Sequence, residues 1–387
     1  MFEVKYRSYF VLVLLLCSVV FIKCTNEVVS PAKDFKIKLR WIKSYPDQTV
    51  EKVRTGFIWS MNFLGAHLPA DKIENAIVIS DNSIIEIDIS ELGFNDQARD
   101  DMMVICNRIK ESGEYKTNGT VDIGRFLMLT VYSSHHYYRI TGAPENFSAF
   151  ISKYNFKQLG IFAVTNSGIS TGHRKINLES SPSINGSSCF IAEEGTGSII
   201  DSTFITKEFE TLNMMANGQL QYLIFDHTGN LVTNADPSLS PSGKPGKCMW
   251  CHQSSIQPLF ASNTDVPGFM TTSDFLDKVN ATNQLLIDTR TQYPAGLDWS
   301  NPEDHTLSEL LYISFMEPSL ERVAGEWGIG ISVASQILSG LPQHTYDEFP
   351  FLGNLYHRSS IDSLAPYHVE RVPLSAREPS SYEPDFF

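Results

Sequence analysis

The chain has 387 residues, of which 42% are apolar, 19% charged and 11% aromatic, a composition that excludes disordered, collagen-like and coiled-coil classes. Forty-four acidic against thirty basic side chains give a net charge of -14, a field that repels polyanions and disfavours nucleic acid as a partner. The length exceeds the roughly 250 to 300 residues that a single core organises, so more than one domain is expected.

Residues 1–23 read as an export signal. Lys5 and Arg7 precede an uncharged stretch from Tyr9 to Ile22 that is apolar apart from Ser18. Its fourteen residues fall short of the about 20 that a spanning helix needs. The stretch ends at Phe21-Ile22-Lys23-Cys24, where Cys24 resembles the lipid-modified first residue of a bacterial lipoprotein. That resemblance implies an exported protein, periplasmic or on the outer membrane, attached to the membrane through lipid on Cys24. Plain cleavage and a retained anchor are the alternatives.

Residues 30–240 carry mixed signals and read as an α+β domain. Ile77-Val78-Ile79 and Ile84 to Ile89 alternate as strands around an Asp81-Asn82 turn. Ala98 to Lys110 reads as a helix. Cys106 and Cys189 are either a disulfide or two buried thiols. In Ser133-Ser134-His135-His136-Tyr137-Tyr138-Arg139 a helix is favoured over a strand, with Asp122 as its cap and Gly142 as its stop. Adjacent histidines face different ways, so His135 and His136 read as structural, with a group beside a cofactor as the alternative. Asp122 and Arg125 read as a cap and an ion pair, and His173-Arg174-Lys175 as a solvated basic step or a docking patch. Gln219 to Phe225, a turn over Asp226 to Asn230, and Leu231-Val232 read as a hairpin.

The sharpest signal is Cys248-Met249-Trp250-Cys251-His252, a Cys-x-x-Cys-His pattern. Thiols three positions apart on one helical turn can add to the two vinyl groups of a single porphyrin, and the adjacent imidazole then lies under its iron. Thiol–disulfide chemistry also uses Cys-x-x-Cys but wants a strand immediately before the first cysteine, whereas Pro241 to Lys247 reads as a flexible basic loop. Zinc needs four ligands, and no second Cys-x-x-Cys follows.

On these five residues the chain resembles the exported bacterial c-type cytochromes with one haem. The resemblance implies one covalent haem c, with Cys248 and Cys251 as thioether positions and His252 as the proximal iron ligand. It also implies single-electron exchange with redox partner proteins of the cell envelope. A mainly helical, cytochrome c-like haem-binding region over 241–345 would then follow the α+β domain, with 346–387 as an extended tail. A haem enzyme of peroxidase type, with residues 30–240 forming the distal or substrate side, is the alternative, as is a haem-based sensor.

Downstream elements bear on the sixth iron position. Ser273 or Asp274 opens a helix carrying Phe275, Leu276, Val279 and Leu286. Thr306-Leu307-Ser308-Glu309 reads as a capping box for a helix that Pro318 ends just after Met316. A methionine at such a break can turn toward the iron, so Met316 is the expected metal ligand. Met270 and His305 are the next candidates, and His344, His357 and His368 are also within reach of the count. Trp327-Gly328-Ile329-Gly330 closes the segment begun at Pro318, a short helix is expected over Val333 to Leu338, and Pro373 to Phe387 lacks periodicity.

Overall fold

Strand alternation builds the first sheet. In β1 (Lys36–Arg40) Ile37 and Leu39 are buried between outward basic residues, and in β3 (Ile84–Asp88) Ile85 and Ile87 are buried on either side of the outward Glu86. β1 runs antiparallel to β3, β3 antiparallel to β2 (Ile77–Ile79), and β1 parallel to the short β4 (Val121–Asp122), in the order β2-β3-β1-β4. The expected strand pair is therefore present. The structure, a computed structural model, describes residues 35–80, 83–154, 160–179, 188–258, 260, 262–292, 296–301, 304–375 and 377–387. The export segment, Cys17, Cys24 and the Asp81-Asn82 turn lie outside these residues.

Helices flank this sheet, each opened by a side-chain cap. α1 (Val50–Phe63) starts at Thr49, α2 (Asp96–Glu111) at Asn95, α3 (Ile123–Met128) at Asp122 and α4 (Ser134–Ile140) at Ser133. The helix expected over 98–110 is α2. The helix expected through the paired histidines is α4, but Asp122 caps the separate α3, because the turn at Leu129 to Ser133 divides the two.

The second sheet is an antiparallel meander, β5 (Gly160–Val164), β6 (Arg174–Leu178), β7 (Cys189–Thr196), β8 (Ile205–Met214) and β9 (Leu220–Asp226), paired in chain order. The expected hairpin after β9 forms around Asp226, whose carboxylate accepts from the amides of Thr228 and Asn230.

α5 (Pro245–His252), α6 (Thr272–Gln292), α7 (Asp304–Met316), α8 (Leu320–Trp327) and α9 (Ile331–Ile337) follow. α7 ends at Met316 before Pro318 as expected, but it starts at Asp304, ahead of the anticipated capping box. Glu309 is thereby a mid-helix residue and pairs with Arg377. α7 lies against α1 and α3 at close range. A Cβ on Gly56 would stand 2.7 Å from the Leu307 backbone, and one on Gly124 2.2 Å from Phe315 Cβ, so both crossings require glycine.

The structure has mixed α and β content, as expected, but residues 245–337 do not form a mainly helical, cytochrome c-like region that closes on itself. α7 spends its apolar face on α1 and α3, while Val323, Trp327 and Leu338 from α8 and the end of α9 pack with the later Tyr356 and Ile361. Residues 36–387 form one compact unit, and the expected boundaries at 240/241 and 345/346 fall inside it. The last residues are extended but firmly attached: Ser133 Oγ donates to Pro384 O at 2.6 Å, and Lys244 pairs with Glu383 at 2.9 Å.

Buried charge ties the two ends of the unit together. Arg125 pairs with Glu114 at 2.8 Å and with Asp362 at 3.2 Å, Arg322 with Asp122 at 2.8 Å, and Arg358 with Glu326 at 2.8 Å. Arg125 does not pair with Asp122 as the sequence suggested, because Arg322 from α8 takes that carboxylate. Burial opposes ionisation of Asp122, yet Arg322 and then Arg40 hold its carboxyl below the ordinary range. Among the described residues no helix is long and apolar enough to cross a membrane.

Candidate functional site

The five motif residues occupy the second half of α5. Pro245 at the first helical position presets the backbone, and at 100° per residue the side chains of Cys251 and His252 flank that of Cys248. The opposite side carries Met249 and Trp250, both buried. Trp250 Nε1 donates to Tyr132 OH at 3.2 Å, Tyr132 bonds Ser308 at 2.9 Å, and Tyr132 stacks on Tyr312 at 4.1 Å. Trp250 thus fixes which way the motif faces. The lysines of the preceding loop are not free solvated charges, since Lys244 is buried against Glu383 and Lys247 pairs with Glu378 at 2.6 Å.

Cys248 and His252 face a cavity whose floor is one face of the second sheet. The floor residues alternate along each strand: Arg174 and Ile176, Phe190 and Ala192, Glu210 and Leu212, Tyr222 and Ile224. Strand register aligns Ile176, Ala192, Glu210 and Ile224 in a single row across the meander. Ile256, Pro258 and Phe275 close another side. The cavity volume is about 100 Å³. Cys251 does not line it and stands exposed at the edge, close enough to Lys247 and Arg377 for both to act on its thiol.

Electrostatics divide the cavity. Arg174 pairs with Glu194 and, at 3.0 Å, with Glu210. It is 8% exposed, so the expectation of a solvated basic step or docking patch at 173–175 is wrong for this residue; strand alternation turns Arg174 inward. Burial pushes Glu194 up to about 7 against the pull of Arg174, and burial followed by Glu210 pushes Glu208 up to about 8. Burial raises the Cys248 thiol well above its ordinary value, and raises Cys251 against the opposing effect of Lys247 and Arg377. For His252, burial and then Arg174 depress the imidazole to about 4, leaving it neutral at pH 7.

The His252 backbone ends the helix in a strained turn. Gln253 has φ 56° and ψ -106°, a region that favours glycine, and Ser255 N–H donates to His252 O at 3.0 Å. His252 Nδ1 is buried with no hydrogen-bond partner among the described residues. A buried polar atom left so is costly and is commonly a mark of a functional position.

Other candidates are placed elsewhere. Met316, the expected sixth ligand, is buried at the end of α7 and does not line the cavity; nor do Met270, His305, His344, His357 or His368. Met270 instead joins the edge of the second sheet through its N–H to Ile161 O at 2.9 Å, and His305 packs edge-on to Trp59. His136 has a structural role: it accepts from Phe386 N–H at 2.9 Å through Nε2, so its Nδ1–H donates to Leu129 O at 2.6 Å. Cys106 and Cys189 are both buried free thiols. The sequence reading missed the acidic group Glu194, Glu208 and Glu210 around Arg174; the alternation of Glu208-Phe209-Glu210-Thr211-Leu212 was the signal for it.

The donor set fits a covalently attached haem. One turn supplies two reduced thiols and a neutral imidazole, and the adjoining cavity is predominantly apolar. Comparison with known family models, with curated proteins and with solved structures returns no match.

Proposed function

We propose that this chain is a c-type haem protein of the cell envelope, holding one haem through Cys248, Cys251 and His252 and passing single electrons between partner proteins. The observation that carries this reading is the placement of Cys248 and a neutral His252 at one largely apolar cavity, with Cys251 one helical turn from Cys248. When bound, the haem would supply a one-electron redox change that no side chain of the site provides. The protein's own part is to fix the imidazole, through the helix end and the Tyr222 ring 5.9 Å away, and to exclude water with the sheet face. Export through residues 1–23, with lipid on Cys24 holding the protein at the membrane, belongs to the same proposal. So does a role for redox partner proteins.

A second reading has one observation in its favour. The cavity lining contains no methionine and no histidine besides His252 among the described residues, and Met316 lies outside it. A lining without a second strong donor suits a haem-dependent oxidoreductase or a haem-based sensor, in which a small molecule has access to the iron.

The test is expression with and without a haem-attachment system, followed by intact mass and an alkaline pyridine spectrum. Addition of one haem mass, and a shifted spectrum in Cys251→Ala from loss of one thioether, is the expected result. A colourless protein of unaltered mass, with zinc recovered in its place, would overturn both readings. Carbon monoxide binding separates them: indifference supports electron transfer, and rapid binding with peroxide turnover supports the enzyme.

A further inference from the structure

A second group of ligand-bearing side chains lies outside the motif. Glu317 follows the last turn of α7, its N–H donating to Ile313 O at 2.7 Å. His344 forms a two-way backbone bridge with Leu355, at 3.0 and 2.9 Å. Tyr356 N–H donates to Pro318 O at 3.0 Å, which draws the chain before His357 onto the end of α7. His357 then precedes a short helix, Arg358–Ile361, whose first residue is buried against Glu326. Backbone bonds therefore bring three segments together, and the side chains of Glu317, His344 and His357 follow from that.

One ligand atom from each of the three lies within 4.8 Å of the others. His344 Nε2 stands 2.8 Å from Glu317 Oε2, and the imidazoles of His344 and His357 stack with centroids 4.2 Å apart and planes 15° from parallel. Glu317 and His344 side chains retain 15% and 28% exposure, and His357 is exposed, so the cluster opens to water on one side. His344 Nδ1 is buried with no hydrogen-bond partner among the described residues.

We propose that Glu317, His344 and His357 bind one divalent transition-metal ion of the zinc class, with water in the remaining position. Two imidazoles and one carboxylate with an open side are the donor chemistry of such a site. Imidazole lone pairs lie in the ring planes, and those of near-parallel stacked rings do not meet at one point, so binding one ion also turns the exposed His357 ring out of the stack. Tetrahedral zinc with bonds of about 2.0 to 2.1 Å spaces its donors about 3.3 Å apart. The contact between His344 and Glu317 then has to open by about half an ångström, which side-chain rotation supplies.

The test uses the full chain, stripped with a chelator and titrated with Zn²⁺ by calorimetry and with Co²⁺ by absorption. One equivalent is expected at this site, with cobalt d–d bands and no thiolate charge-transfer band from it. His344→Ala should lose that equivalent. His357→Ala, at an exposed position that leaves folding intact, should weaken it by more than about tenfold, the least that even an outer-shell partner is worth. A thiolate charge-transfer band accompanying the only bound equivalent would assign the metal to Cys248 and Cys251 and overturn the proposal. Undiminished binding in both variants, or none in the parent chain, would overturn it equally.

Discussion

Glu208 gives a prediction that follows directly from the buried carboxylates of the second sheet. Its carboxyl is buried beside Glu210 and is pushed up to about 8, and its Oε2 accepts from Asp236 N–H at 2.7 Å. A carboxyl raised above its unfolded value contributes nothing to the pH dependence below about 4.5, where both states are protonated. As pH rises from there toward 8 the unfolded chain ionises and the folded one does not, so stability falls. At pH 8 the full difference is about 4 kcal/mol. Halving it for solvent screening leaves about 2 kcal/mol. Glu208→Gln removes the ionisation and keeps an oxygen for the Asp236 amide. Urea denaturation at pH 5 and pH 8 should show variant and parent nearly equal at the lower pH and the variant about 2 kcal/mol more stable at the higher. The comparison is between variant and parent at each pH, because Glu194 and Glu309, each raised to about 7, titrate over the same interval. An unchanged difference between the two pH values, or a variant less stable at pH 8, would refute the account of this cluster.

Arg322→Met leaves Asp122, which is fully buried, without its 2.8 Å partner, and should cost about 3 to 5 kcal/mol in urea denaturation; a loss below about 1 kcal/mol would mean that Arg40 alone neutralises that carboxylate. Tyr132→Phe removes the acceptor of Trp250 Nε1 and a partner of Ser308, so it should cost about 1 to 3 kcal/mol and alter Trp250 fluorescence; an unchanged emission and melting curve would show that α5 is held by other contacts.

Local signals determined much of this fold. Period-two alternation marked β2, β3 and β9, and Ala98 to Lys110 was legible as the helix that became α2, though its Asn95 cap was not. Pro318 and Gly328 marked the ends of α7 and α8, because ring geometry and left-handed backbone act within a few residues. The motif on α5 was legible for the same reason, since its spacing belongs to a single helical turn. The start of α7 was misread because Thr306 and Glu309 match a capping pattern whose formation depends on where the helix begins.

Pairings between distant residues were not legible. Arg125 chose Glu114 and Asp362 over its neighbour Asp122, and Glu309 chose Arg377, because tertiary packing excludes water there and rewards the partner that arrives with the best geometry. The residues that can chemically act on one another, namely Cys248 and His252, are near in sequence, and the sequence alone named them. What faces them, a row of residues from four strands with Arg174 and its carboxylates, was set by sheet register, which no local pattern encodes.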